Sequence, residues 1–378
     1  MAIVFRTLLI ALMICLPIGP AGAQSEVPQA QELIALLKEE KYEMLDAHLT
    51  RYQNAFEADF RQEKNVQVAF LSFQRTDPSL ERYLSEWIIR FPKSYSARLA
   101  RGLHYGAVGI KNRGSGVASK TTATQVSGMQ LYFSKAQEDL RAALEMNPQL
   151  MPAYTFMIFI PMVFGLRDQT KAIIDEALRK NPYSFSARWS YVASLEPRWG
   201  GSYREMEDFI AQARPYYGKY PYLIVLNGKI FAARGDEATN WGTTLFHYDK
   251  ALAYGEHWHY YLGRGKSLYH LQRYGEAVVA LDRALQLWPG FGDALKLRGL
   301  AHWGVGNYEK SLKDLTAVID MDPTHHELIN ARGELHFAFE RYRDALKDYE
   351  EALRLSPDNQ AYVGNRDKAL RNIPQGQR

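Results

Sequence analysis

WHYYLGRGKSLYHLQRYGEAVVALDRALQLWPGF (258–291), GDALKLRGLAHWGVGNYEKSLKDLTAVIDMDPTH (292–325) and HELINARGELHFAFERYRDALKDYEEALRLSPDN (326–359) follow one another without a gap. Aligned from their first residues, they share Gly265, Gly299 and Gly333 at position 8 and Tyr274, Tyr308 and Tyr342 at position 17. Ala277, Ser311 and Ala345 share position 20, Ala284, Val318 and Ala352 position 27, and Pro289, Pro323 and Pro357 position 32. Recurrence at a fixed period in this range marks a stack of supersecondary units. The small residues at 8 and 20 let two helices approach closely. The proline at 32 stands where a helix has ended, because it cannot continue the hydrogen-bond ladder. Leu281, Leu285 and Leu287, with Ala277 and Ala284, give the apolar stripe that a neighbouring helix must cover.

After the third unit, Gln360–Leu370 places Val363 and Ala369 among polar residues, which predicts a terminal capping helix. Upstream the same grammar continues in degenerate form. Pro148 and Pro182 punctuate helices predicted over Met151–Phe164, Asp168–Arg179 and Tyr183–Tyr191. Gln29–Lys38 and Tyr42–Phe60 carry helical spacing, and Asp77-Pro78 reads as a cap followed by proline at a first helical position. Between a helix containing Gly102 and one over Phe133–Glu145 lies an insertion, GIKNRGSGVASKTTATQVSGM (109–129). Rich in Gly, Ser and Thr, with Lys111, Arg113 and Lys120 and no acid, it predicts a mobile loop.

The three C-terminal units resemble the tetratricopeptide repeat, a helix–turn–helix module. RTDP (75–78), SYSARLARG (94–102) and LEPRWGGSYREMEDF (195–209) resemble a bacterial domain family of unknown function that often precedes such repeats, covering about residues 30–235. Together the resemblances imply an all-α helix–turn–helix repeat solenoid, a superhelix with a degenerate helical N-terminal domain. The expected division is a signal segment at 1–23, the degenerate domain at 24–235, the repeat array at 236–357 and a cap with tail at 358–378. In the repeat family, positions 2, 5, 9, 12 and 13 of each first helix line a concave binding face. That implies partner-binding roles here for His259, Lys266, Tyr269, Lys296, Trp303, Asn330 and Phe337. Tyr269, Trp303 and Phe337 share position 12 and would form an aromatic ladder. Packing of Trp303 and Phe337 against neighbouring helices is the alternative, and the sequence leaves both open.

The N-terminus carries an address. Arg6 precedes the apolar run Thr7–Leu16, Pro17, Gly19 and Pro20 break it, and Ala21-Gly22-Ala23 offers small residues for cleavage before Gln24. The run is about half the ~20 residues that span a bilayer, so a removable export signal is expected and a permanent anchor is not. Ile14 precedes Cys15 where a lipid-modified cysteine follows a small residue, which argues against lipidation. Cys15 is the only cysteine, so the exported chain would hold no disulfide, thiolate metal site or cysteine nucleophile. A periplasmic or secreted protein is the expectation. Lys+Arg 46 against Asp+Glu 42, spread along the 378 residues, shows no basic block of the kind nucleic acid or anionic membrane would need.

No catalytic pattern emerges. His257 and His259, His325 and His326, and His302 and His336 (both position 11) lack the spacing and carboxylate partners of a zinc site, and read as packing or surface residues. Trp199-Gly200-Gly201-Ser202-Tyr203 reads as a tight turn with Ser202 capping the next helix, since it lacks the Lys and Ser/Thr of a phosphate loop. No metal or other cofactor is expected. The reading is a non-enzymatic interaction scaffold that takes a protein or peptide partner. Two alternatives stand beside it: a glycan-binding helical protein using its aromatics as platforms, and a hydrolase with its site near the basic insertion.

Overall fold

A computed structural model describes residues 30–114 and 121–374. The expected signal, Cys15, the cleavage site and Lys120 lie outside the described residues. Nineteen α-helices are present among those described, with no strand, and the architecture is an all-α helical-repeat solenoid. The chain divides into two compact units, one ending at Gly263 and also taking Leu287–Pro289, the other comprising Arg264–Gln286 and Gly290 onward. The first compact unit therefore runs past residue 235. The physical reason is the core: Ile230, Tyr248, Ala251 and Tyr260 are buried in the same apolar cluster as Leu33 and Trp87.

In the first unit the dominant pairing joins Tyr95–Arg113 to Ala123–Met146. Here the insertion expectation is corrected. Gly109–Arg113 completes the first of these helices and Ala123–Met129 opens the second, leaving only 114–122 between them. Gly109, read as a loop residue, belongs to a close helix crossing, as does Gly106 one turn before it. A Cβ on Gly106 would lie 2.0 Å from Phe156, and one on Gly109 would lie 2.6 Å from Phe133. Thr122 supplies the cap, accepting from the Gln125 amide while the Gln125 side chain bonds back to the Thr122 amide. Across the same helix pair, Asp139 is buried and takes Arg101 at 2.7 Å and Arg98 at 3.1 Å.

Helix Met151–Val163 is apolar on all sides and buried along nearly its whole length, as a helix without a polar face must be. Tyr42–Ala58, Leu80–Arg90, Arg167–Lys180 and Phe185–Ser194 complete the helical layers close to their expected positions. The Asp77-Pro78 cap is displaced, because the helix begins at Leu80 and Asp77 instead closes a turn by accepting from the Ser79 amide and hydroxyl. The Trp199–Tyr203 segment is a turn. Gly200 sits at φ +84°, Ser202 accepts from the Glu205 amide, and Arg167 donates to the Gly200 carbonyl at 2.8 Å.

The second unit holds the regular array. Tyr274–Leu287, Gly292–Gly304, Tyr308–Met321, His326–Ala338 and Tyr342–Leu355 alternate as second and first helices, closed by Gln360–Asn372 with Tyr362 and Ala369 buried. Gly265, Gly299 and Gly333 face Leu281, Leu315 and Tyr349 across their own pairs, where a Cβ would stand 2.6, 3.1 and 2.7 Å away. The turn after each first helix places Gln272, Gly306 and Glu340, all position 15, at φ +61°, +76° and +60°.

Candidate interaction surface

The seven residues expected to line one face do not all reach it. His259 is buried in the first unit, its ring 5.6 Å from Trp189 and 5.9 Å from Tyr248, so it belongs to the core. Asn330 is buried as well; its amide donates to Glu334 at 2.8 Å and accepts from Asn365 of the capping helix at 3.0 Å. Both are corrected out of the candidate surface, because neighbouring helices take up their polar atoms or cover their rings.

The other five lie in the second unit on first helices. Lys266 is exposed, and Lys296 is half-buried with its ammonium 3.4 Å from Asp293 one turn back. Tyr269, Trp303 and Phe337 are each half-buried. Tyr269 meets Tyr274 at 5.6 Å and Phe337 meets Tyr342 at 5.2 Å, the same pairing of positions 12 and 17 in two repeats. Trp303 rests on the core cluster of Tyr308, Leu315 and Leu328. Lys368 of the capping helix lies over Phe337, 4.6 Å from its centroid. Burial, then Tyr274, raises the Tyr269 phenol above its ordinary range, so it remains a neutral donor at physiological pH. All three aromatics therefore combine packing contacts with partial exposure.

Sequence reading misses a second periodic device. Arg298 gives two parallel bonds of 2.7 Å to Asp314 and a third of 2.7 Å to Asp282. Arg332 repeats it, bonding Asp348 at 2.9 and 2.7 Å and Thr316 at 3.3 Å. Each clamp ties the paired helices of one repeat to the second helix of the repeat before. The signal is present in the chain, since Arg264, Arg298 and Arg332 share position 7 and Asp314 and Asp348 share position 23 of the last two repeats.

His257, His259, His302 and His336 are buried packing elements, while His325 and His326 are half-exposed beside Glu327. His336 bonds Tyr308 at 2.9 Å and stands 3.8 Å from Asp348. His257 lies against Trp189, ring centroids 3.9 Å apart, in a core that also buries Lys229 on Glu196 at 2.7 Å. Burial holds His257 well below the ordinary imidazole range, and His259 and Lys229 push the same way. Among the described residues no group of three or more histidines or carboxylates could hold a metal ion. None of their helices is long and apolar enough to cross a membrane.

Helix pairs in unbroken 34-residue register with a closing helix define a helical-repeat protein. Residues 247–290 and 296–362 match the Tetratricopeptide repeat family, and residues 29–168 match the Domain of unknown function (DUF4034). The chain therefore carries tetratricopeptide repeats in its C-terminal part and a region matching a domain of unknown function in its N-terminal part. The match to that domain stops short of Leu195–Phe209, so it is narrower than the resemblance expected over 30–235.

Solved structures with similar folds include MamA 41-end from Desulfovibrio magneticus RS-1, 18% identical with a TM-score of 0.34, covering 47% of this chain and 99% of that one. The Sgt2 repeat domain from Aspergillus fumigatus is 21% identical with a TM-score of 0.28, covering 30% and 76%. YrrB, described as a repeat protein with an unusual peptide-binding site, is 17% identical with a TM-score of 0.28, covering 61% and 99%. Scores of this size bring no function with them. No curated protein matches the sequence.

Proposed function

We propose that the protein is an exported, non-enzymatic scaffold that holds a protein or peptide segment on the first-helix face of its C-terminal repeats. One observation carries the reading. Tyr269, Trp303 and Phe337 occupy the same position in three successive repeats and are neither fully packed away nor fully solvated. Half-covered aromatics are pre-ordered anchors, because little side-chain entropy remains to be lost on binding. Lys266 and Lys296 stand on the same helices and would meet acidic or carbonyl groups of the segment. Export rests on the Met1–Ala23 pattern and puts the partner in the periplasm or outside the cell.

Photo-crosslinking tests it. A benzophenone side chain at Tyr269 or Trp303 should give discrete partner adducts in the cell envelope, while the same group at exposed Phe246 should give none. Identical adduct patterns at all three positions would remove the groove from the reading. N-terminal sequencing that returned Met1 in place of Gln24 would remove export.

A further inference from the structure

Arg188 is an anomaly in the first unit. It is 3% exposed, on helix Phe185–Ser194, yet no carboxylate among the described residues lies within ion-pair distance of it. One terminal nitrogen donates to the Pro182 carbonyl at 2.9 Å, and Nε has no acceptor. Glu63, the acid whose charge it feels, is fully committed elsewhere. That carboxylate takes the Ser184 and Ser186 hydroxyls and the Phe185 amide at the helix start. A buried guanidinium without an anion is costly to the fold.

The guanidinium lies over Tyr216, 5.2 Å from its centroid. Tyr216 meets Tyr183 edge-on at 5.5 Å, and Tyr183 stacks on Phe60 at 4.5 Å. Over that stack sits the exposed Lys219 ammonium, 4.7 Å from Tyr183 and 5.6 Å from Phe60, also without a carboxylate among the described residues. Arg214, exposed two residues before Tyr216, adds a third cation in the same condition.

From this cluster we infer a second docking site, in the N-terminal unit, for an acidic peptide segment. Its carboxylates take Lys219 and Arg214 at the surface and relieve Arg188 once the Tyr216 ring moves aside. Charge complementarity selects the sign of the ligand. The rings select peptide over glycan: Tyr183 has one face on Phe60 and a cation over the stack, so edges and hydroxyls remain where a sugar would need a bare face. Tyrosine with arginine is also the composition that protein interfaces favour.

Labelled hexaglutamate titrated into the full chain is the test, with binding and melting read on the same samples. Lys219→Gln should weaken binding about tenfold, the scale of one charge-assisted bond, with unchanged melting. Arg188→Met should weaken it at least as much while melting at or above the wild-type temperature, because a residue kept for a ligand is a burden on the fold. Arg204→Gln, 90% exposed elsewhere in this unit, should leave binding unchanged. Equal losses for Arg204→Gln and Lys219→Gln would reduce the effect to general attraction and overturn the site. Binding of heparin with none of hexaglutamate would overturn the peptide assignment. Should Arg188→Met fail to fold, Lys219→Gln decides: unaltered affinity overturns the proposal and a tenfold loss supports it.

Discussion

Arg298 grips Asp314 with two parallel bonds of 2.7 Å, in the geometry a planar guanidinium offers a carboxylate. Asp314 is almost wholly covered, and its partner spans the two helices of one repeat. A Cβ on Gly299 would stand 3.1 Å from Leu315 and 3.2 Å from Asp314, so the polar lock and the close apolar crossing lie side by side and set the register together.

Cutting that lock should be expensive. Asp314→Ala leaves Arg298 facing only Asp282, and should cost about 2 kcal/mol in denaturant unfolding, the scale of hydrogen bonds to charged groups. Arg298→Lys should recover little of it, since an ammonium cannot make the parallel pair. A melting curve of Arg298→Lys matching wild type would show that charge alone suffices.

The turns offer a gain in stability. Gln272 and Glu340 occupy left-handed backbone where the middle repeat has Gly306. Gln272→Gly and Glu340→Gly should each stabilise by up to about 1 kcal/mol, and Gly306→Ala should lose about as much. Opposite signs in chemical denaturation would show that side-chain contacts outweigh backbone strain.

Acid should loosen the first unit. Burial depresses His257 in the folded state, so below the unfolded-state value of about 6.5 the unfolded chain binds the proton that the core refuses. Stability from this group is complete above about pH 6.5 and falls as pH drops, by up to about 1.4 kcal/mol per unit until the folded value is reached. Depressed His302 and His336 act in the same direction in the second unit. Melting profiled from pH 7.5 to 5 should flatten in His257→Gln; an unchanged profile would place the acid sensitivity elsewhere.

The aromatic ladder separates binding from packing. Trp303→Ala and Tyr269→Ala should each weaken partner capture by about thirtyfold, roughly 2 kcal/mol, with the array still helical by circular dichroism. If their half-buried sides dominate, the variants will instead melt early, as core aromatic truncations cost roughly 3–5 kcal/mol. Full capture by a folded Trp303→Ala protein would exclude the face.

Residues whose environment is set within one helix pair are legible from the chain alone. Gly265, Gly299 and Gly333, the prolines at position 32 and the capping helix follow from spacing, because a repeat supplies the same neighbours at every copy. Where the neighbour comes from distant sequence, composition misleads. Gly109 looks like a loop residue, but Phe133 comes from another helix to fill the space its missing side chain leaves. His259 and Asn330 hold groove positions in the repeat register, but Trp189 and Asn365 enclose them. Period and punctuation are local properties of a chain and can be read along it. Burial is decided by what packs across from a residue, and for Arg188, His257 and Lys229 that partner is known only once the helices have come together.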